Sequence, residues 1–340
     1  MFYHRFSLML FGLYIGLFCF EPINSSEPKV DDEKHMVILV YGRNNKEFYK
    51  YNLDSIFEQK YKNYNVIYID DASNDGTVDL VVEYIKDKGL EDKFKLIINQ
   101  EPKYKIASQY YVIHSFCKDS DIVIELDSYD WFLHDKVLLY LNNIYSDPNI
   151  WLTYGRFVYY PSGKLVYSKK ISKEIIKDNK FRSSDWLYSG FLTYYAGLFK
   201  LIRKNDLAIG DNFLPGLSDN IAIFPMFELA AREHFKCITA FLLICNQYKD
   251  EMYSEEIREA SEQSKSIIKN LPKYSALDLP IWDVSLCKTI LYNLEHSYKK
   301  NELHKIDKRS RKKRAFSVRK RKKRKLKKPR RKKNHDSKES

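Results

Sequence analysis

Three short stretches of this 340-residue chain place carboxylates where chemistry follows from them. The first, Val66-Ile67-Tyr68-Ile69-Asp70-Asp71-Ala72-Ser73-Asn74-Asp75-Gly76-Thr77, is an apolar strand that ends in two acids, then a polar loop and a helix start. Ligands of doubly wound sheets bind at such carboxyl ends, where Asp70 and Asp71 could accept hydrogen bonds from a base N–H or from ribose hydroxyls. Asp75 and Thr77 read as turn and helix-cap residues. The second stretch, Ile122-Val123-Ile124-Glu125-Leu126-Asp127-Ser128-Tyr129-Asp130-Trp131-Phe132, delivers Asp127 and Asp130 from another buried strand. The third is Asp219, in Leu217-Ser218-Asp219-Asn220 just ahead of an apolar helix.

Those residues need elements to hold them. From Met36 short β-rich runs alternate with longer amphipathic segments, the pattern of a parallel sheet with crossover helices. Strands are expected over 36–41, 65–70, 94–99 and 122–126, and helices over 48–59, 77–88 and 106–116. Right-handed crossovers make this βαβαβαβ run doubly wound. Beyond it, 151–159 and 164–167 flank the turn Pro161-Ser162-Gly163 and read as a hairpin, 220–232 reads as a mostly buried helix, and 254–270 as a surface helix.

With Ser55-Ile56-Phe57-Glu58-Gln59-Lys60-Tyr61-Lys62-Asn63-Tyr64 ahead of the Asp70 to Thr77 loop, the chain resembles glycosyltransferase family 2, and the similarity runs from Met36 to about Asn246. A closer likeness, through Val137 to Asn142, Trp151 to Gly155 and Phe224 to Ala230, is to a bacterial and viral branch of it. The resemblance implies the GT-A fold, a Rossmann-like, mostly parallel mixed sheet flanked by helices. It also implies a nucleoside-diphosphate-sugar donor, with Asp71 reading the base and Asn44 near the same pocket. The segment at Asp127 is similar to the family's Asp-x-Asp-Asp motif, whose carboxylates hold Mg²⁺ or Mn²⁺ against the donor diphosphate. The implied ligands here are Asp127 and Asp130.

Four departures from the family stand out. Tyr41 replaces a Pro, and Tyr129 occupies the place of the main metal-binding Asp, where a phenol of pKa about 10 is a poor ligand for a hard cation. Ser218 replaces the Glu of the family's Glu-Asp pair, leaving Asp219 as the candidate general base for inverting transfer to an acceptor hydroxyl. Asp219 reads equally as a plain N-cap, and Asp130 as a cap of a helix beginning near His134. Ser189, Gly190 and Phe191 stand where the branch has His-Leu-Arg, so a donor-phosphate arginine is missing; Arg182 and Lys200 are the candidates to substitute.

The net charge of +13 belongs to a tail: Lys305 to Ser340 holds 21 Lys/Arg against three Asp/Glu, an excess of 18 that leaves residues 1–304 at −5. With Phe316 as its only aromatic, the Lys305 to Lys333 stretch suits polyanions or an anionic membrane surface and not a specific nucleic acid. Its like charges and lack of apolar residues predict disorder. The apolar run Phe6 to Phe20, about 22 Å as a helix, is short of a bilayer core of about 30 Å and reads as a signal peptide or short anchor, implying an exported or secretory-pathway protein. The expected organisation is a signal segment over 1–25, a GT-A domain over 36–250, a helical extension over 251–301 and a disordered basic tail over 302–340. The cysteines show no metal-ligand spacing and read as single thiols. Besides an active transferase, two readings remain open: a catalytically weakened nucleotide- or glycan-binding relative, and a polyanion-binding protein acting through its tail.

Overall fold

The computed structural model describes residues 33–183, 191–215, 220–248 and 255–290. The expected signal segment, Ser189, Gly190, Asp219 and the basic tail lie outside the described residues. The chain divides into two units, Met1–Cys287 and Lys288–Ser340, and the elements below belong to the first.

Met36–Gly42 forms β1 because its apolar run is continuous: every residue of it is buried, as a central strand covered on both faces requires. Helix α1 (Tyr49–Phe57) leads to β2 (Tyr64–Asp70), α2 (Thr77–Lys88) to β3 (Phe94–Ile98), and α3 (Tyr104–Phe116) to β4 (Ile122–Asp127). These four strands lie parallel in the order β3-β2-β1-β4. A two-residue β5 (Trp131–Phe132), helix α4 (Val137–Tyr145), and the strands β6 (Leu152–Tyr160) and β7 (Leu165–Val166) follow. The last two make the expected hairpin, with Gly163 at φ +68° in its turn. A short helix α5 (Lys173–Lys177) precedes β8 (Phe191–Tyr195), α6 (Ala196–Lys200), α7 (Lys204–Leu207) and the small ladder β9 (Ala208–Ile209) with β10 (Asn212–Phe213). Helix α8 (Asn220–Leu229), the long strand β11 (Phe235–Asn246) and helix α9 (Glu255–Asn270) complete the order.

Among the described residues the main sheet runs β3-β2-β1-β4-β8-β6-β11-β5, with β7 on β6. Strands β8 and β11 were not expected from the sequence. β8 joins β4 and β6 antiparallel, while β11 lies parallel to β6 through two register shifts. The shifts interrupt the two-residue alternation that marks a strand in sequence. Helices α1 and α2 contact each other on the sheet, whereas α3, α6, α8 and α9 form a separate chain of contacts, giving two helical layers. The result is a mixed α/β architecture with a mostly parallel first half, the fold class the resemblance implied.

At the amino ends of the strands His35 acts as a clasp. Its Nδ1 lies 2.9 Å from Asp121 Oδ1 and its Nε2 lies 2.8 Å from Asn65 Oδ1. Two acceptors on one imidazole favour the doubly protonated ring. The Asp121 hydrogen bond therefore holds His35 above its ordinary value near 6.5, against the opposing pull of burial. Among the described residues no disulfide joins Cys117, Cys237, Cys245 and Cys287 to one another.

Candidate functional site

The parallel registers bring the carboxyl ends of β1, β2 and β4 level: Gly42 pairs with Asp70, and Tyr41 with Asp127. Strand order reverses at β1, so this edge is the crevice of a doubly wound sheet. The closeness is enforced at Gly42, where a Cβ would stand 1.7 Å from Ser128 Oγ; only glycine lets the two strand ends meet.

Asp71 is 2% exposed and accepts four hydrogen bonds: from the Tyr41 hydroxyl at 2.7 Å, Asn99 Nδ2 at 2.6 Å, and the amides of Lys103 at 2.9 Å and Tyr104 at 3.2 Å. The hydroxyl of the residue that replaces the family's Pro is thus one of its donors. Asp71 ties β1 to the loop that starts α3 and forms the wall of the crevice. Asp70, also buried, receives the amide and hydroxyl of Ser73, and burial raises its pKa despite them. Asn44 reaches the loop after β2, at φ +55°: its amide donates to Ser73 Oγ at 2.8 Å, and its Oδ1 accepts from the Asn74 amide at 2.9 Å. Asp75 plays its capping part, accepting from the amide and hydroxyl of Thr77. Burial pushes its carboxyl upward, but the hydrogen bonds from Thr77 and the Lys46 amide outweigh it and the pKa falls.

At the end of β4, Glu125 and Asp127 share a face by strand alternation. Between them sits the Lys105 ammonium, 3.0 Å from Asp127 Oδ1 and 3.4 Å from Glu125 Oε2. The Lys105 side chain is only 9% exposed and that of Asp127 23%. Glu125 also accepts from the Tyr194 hydroxyl at 2.7 Å. Tyr129 turns the other way, its hydroxyl donating to the carbonyls of Arg43 and Asn44, so it pins the loop after β1. Asp130 is buried with Oδ1 on the Asn246 amide at 2.9 Å. It does not cap the following helix, which begins at Val137 after Lys136 with no side-chain cap. Asn52 Nδ2 donates to the carbonyls of Asp127 and Asp130 and Asn45 Nδ2 to that of Ser128, fixing the turn.

This arrangement does not fit the divalent cation that the motif implies. Asp130 is turned to β11, Tyr129 to the loop after β1, and Asp127 faces an ammonium. Among the described residues no group of three or more His, Cys, Asp or Glu could hold a metal ion.

The candidates for a substitute phosphate arginine lie elsewhere. Arg182 is 2% exposed and makes a two-pronged pair with Glu228, at 2.7 and 2.6 Å, while its Nη1 reaches the carbonyls of Ile268 and Leu271. Lys200 bonds the Cys117 carbonyl and Asp119 near the amino end of β4. Both are structural. His114 stacks on Tyr110 and His234 on Trp151, as packing residues. Sequence reading passed over Lys105, Glu125 and Asn99. A signal existed for the first: on α3 it shares the buried face with Ser108, Gln109 and Val112, an unusual place for a cation.

Fold and crevice together define a mixed α/β protein with acids at the strand ends of a switch point. The profile described as Glycosyl transferase family 2 matches residues 36–207, half of the chain, and the protein belongs to that family. Family membership supports glycosyl transfer as its general activity. A comparison with curated proteins finds no match. Among solved structures, S. aureus TarS 1-349 in complex with UDP-GlcNAc is similar at 14% identity and TM-score 0.47, over 71% of this chain and 68% of that one. The mannosyltransferase PcManGT from Pyrobaculum calidifontis, in complex with GDP-Man and Mn²⁺, is similar at 16% identity and TM-score 0.44, over 72% and 65%.

Proposed function

We propose that this protein transfers a sugar from a nucleoside-diphosphate sugar to an acceptor hydroxyl with inversion. The observation that carries the reading is the family match over a segment whose acids, Asp70 and Asp71 at the end of β2 and Asp127 at the end of β4, flank β1 at the switch point. Asn44, Asp70 and Asp71 would form the nucleotide side of the crevice and Asp127 the diphosphate side. The acceptor oxygen attacks the anomeric carbon, the bond from that carbon to the diphosphate oxygen breaks, and its electron pair leaves on the nucleoside diphosphate. The acceptor proton passes to the Asp219 carboxylate. Neighbouring folds bind UDP-GlcNAc and GDP-Man, which makes UDP and GDP sugars the donors to try.

Tyr129 and the Lys105–Asp127 pair favour a second reading, a relative that binds the nucleotide without turnover. The rest of the proposal comes from sequence: export through the segment over 1–25, and attachment to polyanions or anionic membrane through Lys305 to Lys333.

The test is to titrate UDP and GDP into the full chain by calorimetry, then to follow nucleoside diphosphate release from UDP and GDP sugars with mixed glycan acceptors. Saturable binding, with release abolished by Asp219→Ala while binding persists, is the expected result. Binding without release under any condition supports the second reading, and no nucleotide binding sinks both.

A further inference from the structure

A second question concerns the charge that faces a bound diphosphate. Displacement of a diphosphate puts negative charge on the leaving oxygens, and a site that performs it needs a cation there. The carboxylates expected to supply one through a metal are engaged otherwise, yet a cation stands in the same place. We propose that the Lys105 ammonium, seated between Glu125 and Asp127, is the positive charge that faces the donor diphosphate, so that this chain binds its nucleotide without a divalent ion. The inference rests on the transferase reading above and names how that site handles phosphate.

Three observations support it. First, Lys105 is placed by the framework and not by chance. It follows directly on Lys103 and Tyr104, whose amides are tied to Asp71, so the first turn of α3 is fixed to the crevice wall. Second, the ammonium is nearly buried, where hydration competes little and a charged hydrogen bond to phosphate is strong. It contacts Asp127 at the carboxyl end of β4, and the Asp127 side chain is 23% exposed. Third, the residue that would complete a metal site is a tyrosine whose hydroxyl is already donating to two carbonyls. The loss of a ligand at 129 and the presence of a cation at 105 are complementary changes. One ammonium against two carboxylates leaves the cluster with an excess negative charge. The loops that rim the crevice add exposed cations, Arg43 and Lys46 after β1 and Lys103 before α3.

The experiment is a calorimetric titration of UDP and GDP into the full chain, once in excess EDTA and once in millimolar Mn²⁺, for the wild type, Lys105→Met and Lys105→Arg. Wild-type dissociation constants are expected to agree within about threefold between the two buffers. Lys105→Met should weaken diphosphate binding in EDTA by about tenfold to a hundredfold, the worth of a charged hydrogen bond. Lys105→Arg, which keeps the charge, should retain EDTA-insensitive binding. Titrating Mn²⁺ alone, followed by electron paramagnetic resonance, should show a saturable site only in Lys105→Met, where Glu125 and Asp127 are released to a metal. Thermal melts report whether each variant folds, and the wild-type comparison decides the matter even if Lys105→Met does not. Wild-type binding that disappears in EDTA and returns with Mn²⁺ would overturn the proposal while leaving the transferase reading intact. Undiminished binding by a folded Lys105→Met in EDTA would overturn it as well. Absence of nucleotide binding in both buffers would remove the transferase reading, and this inference with it.

Discussion

Asp71 shows what one buried carboxylate does when four donors converge on it. Its two oxygens gather a phenol, an amide side chain and two backbone amides from three parts of the chain. Replacement by Asn substitutes an NH₂ for one acceptor and turns it toward groups that are themselves donors. We expect Asp71→Asn to lower unfolding free energy by about 2–3 kcal/mol, since bonds to a charged acceptor contribute about 1.5–3 kcal/mol and a buried unmatched donor adds its desolvation. A urea unfolding midpoint, compared with wild type at unchanged slope, checks this; an Asn variant as stable as wild type would mean the carboxylate is not the knot described. In sequence this residue is legible only as the acid that follows an apolar strand; its partners are not, because Tyr41 lies in β1 and Asn99 follows β3, and they meet it only through register.

At the level of elements, the amino ends of β1, β2 and β4 are joined through His35. A group whose pKa is raised on folding contributes stability that is fully present below its unfolded value, near 6.5, and is lost as pH rises through the folded value. Unfolding free energy should therefore decline as pH climbs from about 6.5. His35→Gln or Asp121→Asn should flatten that part of the profile. The slope will be shallow, because the His35 side chain is 35% exposed and water screens the pair. An unchanged wild-type slope in both variants would remove the clasp from the account. The first four strands and three helices were legible from apolar periodicity because each is a regular run packed on its neighbours. β8 and β11 were not: five buried residues in one and a twice-shifted register in the other carry no clean period. The start of α4, expected near His134, falls at Val137, where no capping side chain marks it.

Across the whole unit, Arg182 and Glu228 form a fully buried ion pair, with side chains 1% and 0% exposed. They bind α8 to the short turn Phe181–Ser183 and to the end of α9, where Glu228 also accepts the Tyr274 amide. Removing one partner strands the other in the interior, so Arg182→Met should cost about 3–5 kcal/mol. The double variant Arg182→Met with Glu228→Gln should recover part of this. Differential scanning calorimetry of the three proteins decides it, and additive losses in the double variant would mean that the two charges are not coupled. The pairing was invisible in sequence, where 46 positions separate the two residues and Arg182 read as a candidate phosphate ligand.

The adjacency of Lys103, Tyr104 and Lys105 gives the crevice one more property. The amides that hold Asp71 and the ammonium beside Asp127 belong to successive residues, so under the proposed donor binding the nucleoside side and the phosphate side of the crevice would share a single lever. A ligand that drew Asp71 away from those amides would loosen the turn that aims Lys105, and one that engaged Lys105 would tighten the turn around Asp71. Affinities measured for a nucleoside and for pyrophosphate separately would then fail to add, and by thermodynamic reciprocity each would alter the other by the same factor.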